Sequence, residues 1–223
     1  MQIKIGQDLI VNSSTLKYLG CTLDEHLKFS QHVKLMCAKA SKGINLMKYI
    51  IKYIKPLSTL FYSSFIRPIL ECTPALLYCI SKTDSDNIEK LQNRVLKIIS
   101  GIKFNKRENV HLSDIRTDLQ LPLLSSRREM FFFIKAFNGL NGFDTILKSL
   151  LLDIRVNTGK PSLRSNDPSF PKFEIPRTNK SLYGQRTFKY LVSRNWNNFP
   201  DELRCCKDHN KFKALAKQLF LDY

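Results

Sequence analysis

The hydrophobic pattern of the chain changes near residue 30. Before it, apolar residues such as Ile3 and Ile5 alternate with polar ones, and further apolar runs occupy residues 9–11 and 16–23, which together predict three short strands. After it, apolar side chains recur at spacings of three and four, which predicts amphipathic helices. The pattern as a whole predicts a mainly α fold with a short N-terminal β element.

Two of the predicted helices fill residues 30–80. The first ends near Pro56, and a row of lysines lies beside its apolar stripe: Lys48, Lys52 and Lys55. The second covers residues 57–80 and contains Pro68 and Pro74. Because proline lacks an amide donor and restricts the residue before it, we expect this helix to kink or break near Arg67.

A third helix has clear sequence signals at both ends. Asp86 is a candidate cap with Glu89 three residues later, and Gly101 is a typical terminator. Its apolar stripe consists of Ile88, Leu91, Val95 and Ile98. Packing of the three apolar stripes predicts a three-helix bundle over residues 30–101.

The second half of the chain predicts another helical region. A short helix is expected over residues 112–119, and Ser126 with Glu129 forms a capping-box pattern at the start of the next one. The apolar face of that helix consists of Met130, Phe133, Ile134 and Phe137. Residues 155–186 contain four prolines and show no period, so irregular extended chain is expected there, followed by helices over residues 187–198 and 210–221.

The net charge adds an expectation about binding. The sequence has 36 Lys and Arg against 19 Asp and Glu, a formal charge of +17, of which residues 1–112 carry +9 and the remainder +8. An excess spread over the whole body predicts a polyanionic partner rather than a detachable basic arm. The alternative is that the lysines serve solubility alone.

Composition also bears on location and chemistry. No apolar stretch approaches the roughly 20 residues of a membrane span and the first residues lack a signal-peptide pattern, so we expect an intracellular protein, nuclear or cytoplasmic, without membrane contact.

The six cysteines lie mostly in apolar patterns and are expected to be reduced. Cys205 and Cys206 with His209 come nearest to a metal cluster, but adjacent cysteines rarely suit tetrahedral zinc. We therefore expect no metal site and no cofactor.

Several segments, taken in order, resemble one family of proteins. In the first half they are LKYLG at residues 16–20, FIRPILE at 65–71 and LQNRVLKIISG at 91–101. In the second half they are LP at 121–122, RR at 127–128, FNG at 137–139, YGQRTF at 183–188 and WNNFP at 196–200. Their order and intervals resemble the region downstream of the catalytic palm in the reverse transcriptases of non-LTR (LINE-type) retrotransposons, especially the jockey-like group.

The resemblance implies a division of the chain into four regions. Residues 1–28 correspond to residual palm strands near the primer grip, and residues 29–101 to the thumb, which holds the template–primer duplex. Residues 102–154 form a helical connector, and residues 155–223 an irregular basic segment followed by C-terminal helices. By the same resemblance Lys17, Tyr18 and Gly20 are candidate nucleic-acid-binding residues in the primer-grip segment.

The catalytic carboxylates of that family have no counterpart in this sequence. The family carries two adjacent aspartates shortly after an aromatic residue, ahead of the Tyr-Leu-Gly segment, and nucleotide addition needs such carboxylates to hold two metal ions. Here Asp84 and Asp86 stand outside that context and are better explained as turn and helix-cap residues. The four histidines are scattered, and no Gly-rich loop suited to phosphate is present. We therefore predict no catalytic residues.

Basic side chains on helices are the main candidates for contact with nucleic acid. Lys90, Arg94 and Lys97 are spaced by four and three, so they share one stripe that can neutralise successive phosphates. The alternative is a solvated helix face. Arg127 and Arg128 are weaker candidates, because a positive charge in the first turn of a helix opposes the helix dipole unless an anion compensates it.

The irregular segment offers a further set of candidates. Phe170, Phe173 and Tyr183 alternate with basic residues and can stack unpaired bases, although such aromatics more often pin a long loop to a core. Trp196 is interpreted as a buried anchor because of its helical spacing with Phe188.

Together these observations favour a non-catalytic C-terminal fragment of a reverse transcriptase that grips RNA or an RNA–DNA duplex. Three alternatives stay open. In the first, the chain is a protein-interaction module, which includes a module that contacts a palm-containing polymerase chain. In the second, it is an inert transposon remnant. In the third, it is an enzyme of another class.

Overall fold

The structure, a computed structural model, describes residues 3–5, 8–10, 13–102, 111–156, 172–179 and 184–221. It confirms a mainly α fold with short N-terminal strands. The chain divides into two compact units. Unit 1 comprises Met1–Thr73 and Ile80–Asn105, and unit 2 comprises Pro74–Cys79 and Lys106–Tyr223.

Unit 1 begins with two antiparallel hairpins. Their strands are β1 (Ile3–Ile5) with β2 (Asp8–Ile10), and β3 (Thr15–Tyr18) with β4 (Cys21–Asp24). The prediction of one strand over residues 16–23 is wrong, because a turn at Leu19 and Gly20 divides this apolar run into β3 and β4. Both turn residues have positive φ, 46° and 83°, as a tight two-residue hairpin requires, and Gly20 adopts this conformation without a steric penalty.

The first helix, α1 (Ser30–Ile54), follows the predicted helical period. Five residues of the predicted stripe are buried: Val33, Met36, Ala40, Ile44 and Met47. A 3₁₀ turn at Lys55–Leu57 ends the helix close to Pro56, as predicted. This helix supplies the main apolar face of unit 1.

The next segment is helical but interrupted. It consists of α2 (Ser58–Phe61), a π turn (Tyr62–Ile66), α3 (Arg67–Leu70) and, after a break, α4 (Pro74–Leu77). In the π turn the Arg67 amide donates to the Tyr62 carbonyl five residues back. Pro68 has no amide to donate and crowds the preceding turn, which explains a local widening at this point. The predicted kink near Arg67 is confirmed.

The third predicted helix is α5 (Lys82–Ile99). Ile88, Val95, Leu96 and Ile99 are buried in it, and α1 packs against both α5 and α3. Gly101 follows the helix with φ +69°, so its role as terminator is confirmed.

Unit 2 is built around one long helix. Its elements are α4, α6 (Leu112–Leu119), α7 (Leu124–Leu140), α8 (Thr145–Leu151), α9 (Phe188–Trp196), α10 (Asp201–Cys205) and α11 (His209–Leu221). The α7 helix packs against α4, α8 and α11. Helices α6, α7, α9 and α11 were expected from the pattern, whereas α8 and α10 are too short to display a helical period.

The core of unit 2 is aromatic. Phe137 stacks on Phe212 with ring centroids 4.1 Å apart, and Trp196 stacks on Phe212 at 5.9 Å. Trp196 is 4% exposed, which confirms its interpretation as a buried anchor. The predicted capping box at Ser126 is wrong, because α7 begins at Leu124 without a side-chain cap.

Candidate nucleic-acid interface

Ser81 caps the start of α5, and Asp84 in the first turn of this helix also anchors α1. The Ser81 hydroxyl oxygen accepts a hydrogen bond from the Asp84 amide (3.1 Å) and donates one to the Asp84 carboxylate (2.7 Å). The same carboxylate oxygen accepts a hydrogen bond from the Ser30 hydroxyl, 2.7 Å away at the start of α1. Asp84 therefore has a structural role beside the cap, in which Ser81 is the N-cap residue. The prediction that Asp86 caps this helix is wrong, because α5 already begins at Lys82.

A second contact between α1 and α5 fixes their relative direction. Arg94 donates from Nη2 to Asn45 Oδ1 at 2.8 Å. The contact of Ser30 with Asp84 joins the beginnings of the two helices, and the contact of Asn45 with Arg94 joins them further along. The helices therefore run side by side in the same direction.

This packing brings two rows of basic side chains together. On α5, Lys90, Arg94 and Lys97 lie on one stripe. On α1, Lys48 and Lys52 follow Asn45 by three and seven positions, so they lie on the same side of α1 as the Arg94 contact. These five residues are called the basic edge: Lys48, Lys52, Lys90, Arg94 and Lys97.

The basic edge has few acidic neighbours along the chain. Between Glu25 and Glu71 the sequence contains no Asp or Glu. That stretch has eight basic residues: Lys28, Lys34, Lys39, Lys42, Lys48, Lys52, Lys55 and Arg67. On α5 the acids next to the stripe are Asp86, which is exposed, and Glu89, which is half-buried. The edge therefore carries a local excess of positive charge that suits a phosphate backbone.

The sequence alone predicts only the α5 half of the basic edge as a phosphate-binding stripe. Lys48 and Lys52 were visible as a row beside the apolar stripe of α1, but the spacing does not show which helix they adjoin. The Asn45 contact with Arg94 supplies that information.

The side chains of the basic edge differ in exposure. Lys48, Lys52 and Lys90 are exposed, whereas Arg94 and Lys97 are half-buried. The Lys90 ammonium lies 3.4 Å from Asn87 Oδ1, one turn earlier on the same helix.

The three predicted residues of the hairpin lie together at its tip. Lys17 and Tyr18 end β3, and Gly20 is the second turn residue. All three are exposed, with 62% of Tyr18 accessible. Leu19 between them is 87% exposed and has a positive φ, an unusual combination for an aliphatic residue.

Arg127 and Arg128 lie on α7 in unit 2. The Arg127 guanidinium lies 5.4 Å from the centroid of the Phe131 ring, which is a cation–π distance. Arg128 is only 3% exposed. This burial argues against Arg128 as a phosphate contact.

The described part of the irregular segment is pinned to the core of unit 2. The Phe173 amide donates to Asn197 Oδ1 (2.7 Å), and Asn197 Nδ2 donates to the Phe173 carbonyl (2.8 Å). The Phe173 ring lies 6.3 Å from Trp196. Phe173 therefore serves packing. Phe170 and Tyr183, the other proposed stacking residues, lie outside the described residues.

Burial shifts the pKa of several side chains in unit 1. It lowers the pKa of His32, whose Nδ1 accepts a hydrogen bond from the Thr22 amide at 3.4 Å. It raises the pKa of the Cys21 and Cys37 thiols.

Within the described ranges, no group of three His, Cys, Asp or Glu side chains is placed to hold a metal ion. No helix in that part of the chain has the length and apolar character needed to cross a bilayer.

Comparison with known proteins finds a similarity to a polymerase. The chain is 28% identical over 129 residues to the RNA-directed DNA polymerase from mobile element jockey of Drosophila melanogaster. The matched stretch covers 56% of this chain and 14% of the polymerase, so the chain spans a small part of that relative's length. No family model matches the sequence, and no solved structure matches it. The similarity supports a relationship to the reverse transcriptases of non-LTR retrotransposons.

Proposed function

We propose that this chain is a non-catalytic, nucleic-acid-gripping part of a retrotransposon reverse transcriptase, and that its basic edge contacts the phosphate backbone of RNA or an RNA–DNA duplex. The observation that carries the proposal is the hydrogen bond from Arg94 to Asn45, because it joins two basic rows into one surface. The similarity to a jockey polymerase supports a nucleic acid as the partner. An intracellular site of action, nuclear or cytoplasmic, follows from the proposal.

The dimensions of the basic edge suit a polynucleotide. Lys90 and Lys97 are seven residues apart on α5, which is about 10 Å along the helix axis. One strand of a duplex presents a phosphate about every 3.4 Å of axis, so this distance covers about three phosphates. Lys48 and Lys52 extend the same positive surface across α1.

The non-catalytic part of the proposal concerns the carboxylates that this sequence contains. Nowhere in these 223 residues do two aspartates stand next to each other. Asp84, the more buried of the two candidate carboxylates Asp84 and Asp86, accepts hydrogen bonds from two serine hydroxyls in the first turn of α5. We propose that residues 29–101 correspond to the thumb, and that Lys17, Tyr18 and Gly20 belong to a segment near the primer grip.

A binding assay with a labelled RNA–DNA duplex tests the basic edge. The variant combines Lys90→Ala, Arg94→Gln and Lys97→Ala, in which glutamine keeps a donor for Asn45. We expect its affinity to fall by about tenfold or more, because each lost phosphate contact removes favourable counterion release.

The control removes the same charge from unit 2 by combining Lys207→Ala, Lys211→Ala and Lys213→Ala, three exposed lysines. Far-UV circular dichroism checks that both proteins fold. Equal affinity of the basic-edge variant and this control refutes the proposed grip.

A second candidate function rests on the β3–β4 hairpin. Leu16, Tyr18 and Leu19 are exposed by 62%, 62% and 87%, an apolar surface that suits a protein partner such as a palm-containing polymerase chain. Association through this hairpin should depend weakly on salt, whereas binding through the basic edge should weaken steeply as salt rises.

A further inference from the structure

The face of α1 turned away from the core is aromatic as well as basic. Tyr49 and Tyr53 are 75% and 77% exposed, and Leu46 is 54% exposed. A helix on the surface of a globular unit normally turns its polar residues outward. Two outward tyrosines on a helix that already buries a full apolar stripe therefore form an exposed aromatic surface that is free to bind a partner.

The two rings form one platform. Tyr49 and Tyr53 are four residues apart, so they lie on the same face about one helical turn from each other. The Lys52 ammonium lies 5.0 Å from the centroid of the Tyr53 ring. Lys42 is seven residues before Tyr49 on the same face. The rings are thus flanked by positive charge on both sides.

The positive charge of α1 indicates a negatively charged partner. The α1 helix has no acidic residue and five lysines: Lys34, Lys39, Lys42, Lys48 and Lys52. Lys55 follows directly after its last residue. A purely apolar partner surface would leave these charges unmatched, whereas a single-stranded nucleic acid offers both phosphates and unpaired bases. Lys52 belongs to this face and to the basic edge, so the two surfaces are continuous on α1.

We propose that Tyr49 and Tyr53 are a stacking platform for unpaired bases of single-stranded nucleic acid. The inference rests on the proposed function, since the strand that reaches the platform continues from the duplex held by the basic edge. Each ring stacks on the face of one base, and the neighbouring lysines neutralise the intervening phosphates. Stacking of this kind tolerates any sequence, because every base has a π face.

The test compares two RNA–DNA duplexes, one blunt and one with a short single-stranded extension, by fluorescence anisotropy on the full chain. The variant Tyr49→Leu/Tyr53→Leu keeps helix propensity and apolar character but removes both rings. The conservative variant Tyr49→Phe/Tyr53→Phe keeps both rings. Ile146→Ala, at a site 74% exposed in unit 2, controls for loss of exposed apolar surface.

The extension should tighten binding by the wild-type chain. The double Leu variant should lose affinity for the extended duplex by at least about fivefold per ring, with little change for the blunt duplex, and the double Phe variant should retain both affinities. Equal losses on both duplexes, or no loss, overturn the platform. A double Leu variant that changes only the self-association of the chain, measured by analytical ultracentrifugation, also overturns it and makes this face a protein interface.

The two proposals fail in different ways. If the blunt duplex binds equally to wild type and to the basic-edge variant while the tyrosine effect persists, the proposed grip is wrong and the platform stands. If the basic-edge variant loses affinity but the extension makes no difference, the grip stands and the platform is wrong.

Discussion

Asp24 shows how one side chain determines the entry into the first helix. Its Oδ1 accepts hydrogen bonds from the His26 and Lys28 amides at 3.1 and 3.0 Å, and its Oδ2 accepts one from the Phe29 amide at 2.7 Å. Leu27 and Phe29 both have positive φ, 50° and 62°. Because such backbone is costly for residues other than glycine, the carboxylate stabilises a strained loop just before α1.

Replacement of this carboxylate should destabilise unit 1. Asp24→Asn keeps the size of the side chain but loses the charge and one acceptor oxygen, so we expect the free energy of unfolding to fall by about 1–2 kcal/mol at neutral pH. Urea denaturation followed by circular dichroism measures it. Asp118→Asn, at an exposed position on α6, serves as the control and should change little.

The same substitution should change how the free energy of unfolding decreases at acidic pH. Burial raises the pKa of Asp24, but the hydrogen bonds from Lys28, Phe29 and His26 lower it more, and the net pKa lies below the ordinary value of 3.8. The unfolded chain therefore takes up the proton first, and the stabilisation is present above about pH 3.8 and lost as pH falls through the lower folded-state pKa. If the free energy of unfolding of Asp24→Asn decreased with acidic pH in the same way as that of wild type, this assignment would be contradicted.

Residue roles were only partly predictable from the sequence. The structural role of Asp84 followed from its place outside any aromatic and paired-aspartate context. The identity of the cap did not, because Ser81 with Asp84 and Asp86 with Glu89 have the same spacing. The bond from Ser30, which selects the first pair, joins residues 54 positions apart.

At the level of elements, long helices were predictable and turns inside apolar runs were not. The periods of α1, α5 and α7 follow from the side chains they bury. The β3–β4 turn lies within the largely apolar segment at residues 16–23, and its first residue is Leu19, which is not a typical turn residue. The short helices α8 and α10 end before a period can be recognised.

The contact of α7 with α8 depends on one small residue. A Cβ on Gly139 would lie 2.8 Å from Leu151 Cδ1, 3.0 Å from Leu147 Cβ and 3.1 Å from the Leu147 carbonyl carbon. The last of these is backbone and cannot rotate away. Gly139 is therefore required for the close approach of the two helices.

Gly139→Ala should destabilise unit 2 by about 1–3 kcal/mol, because overpacking outweighs the gain in helix propensity. Gly43→Ala on α1 is the matched control, since its Cβ would meet the side chain of Ile66 at 3.3 Å and no backbone atom. Thermal unfolding of both variants measures the difference. A Gly139→Ala protein as stable as the Gly43→Ala protein would show that α8 shifts freely on α7.

At the scale of the whole molecule, the sequence predicted a basic body but not the place where the charge collects. The excess of +17 is divided almost equally between the two halves of the chain. The basic edge exists because Asn45 and Arg94, 49 positions apart, meet across two parallel helices. Spacing within one helix identifies a face, and only the packing of the helices shows which faces adjoin.

The dependence of duplex affinity on salt tests the central claim most directly. Wild type, the basic-edge variant of α5 and Lys48→Ala/Lys52→Ala are compared by the slope of log Kd against log salt concentration. If the basic edge grips phosphates, the slope should become shallower by about 0.9 for each lost contact, hence by about three for the α5 variant and about two for the α1 pair. Slopes that stay at the wild-type value in both variants would contradict a phosphate grip at this edge.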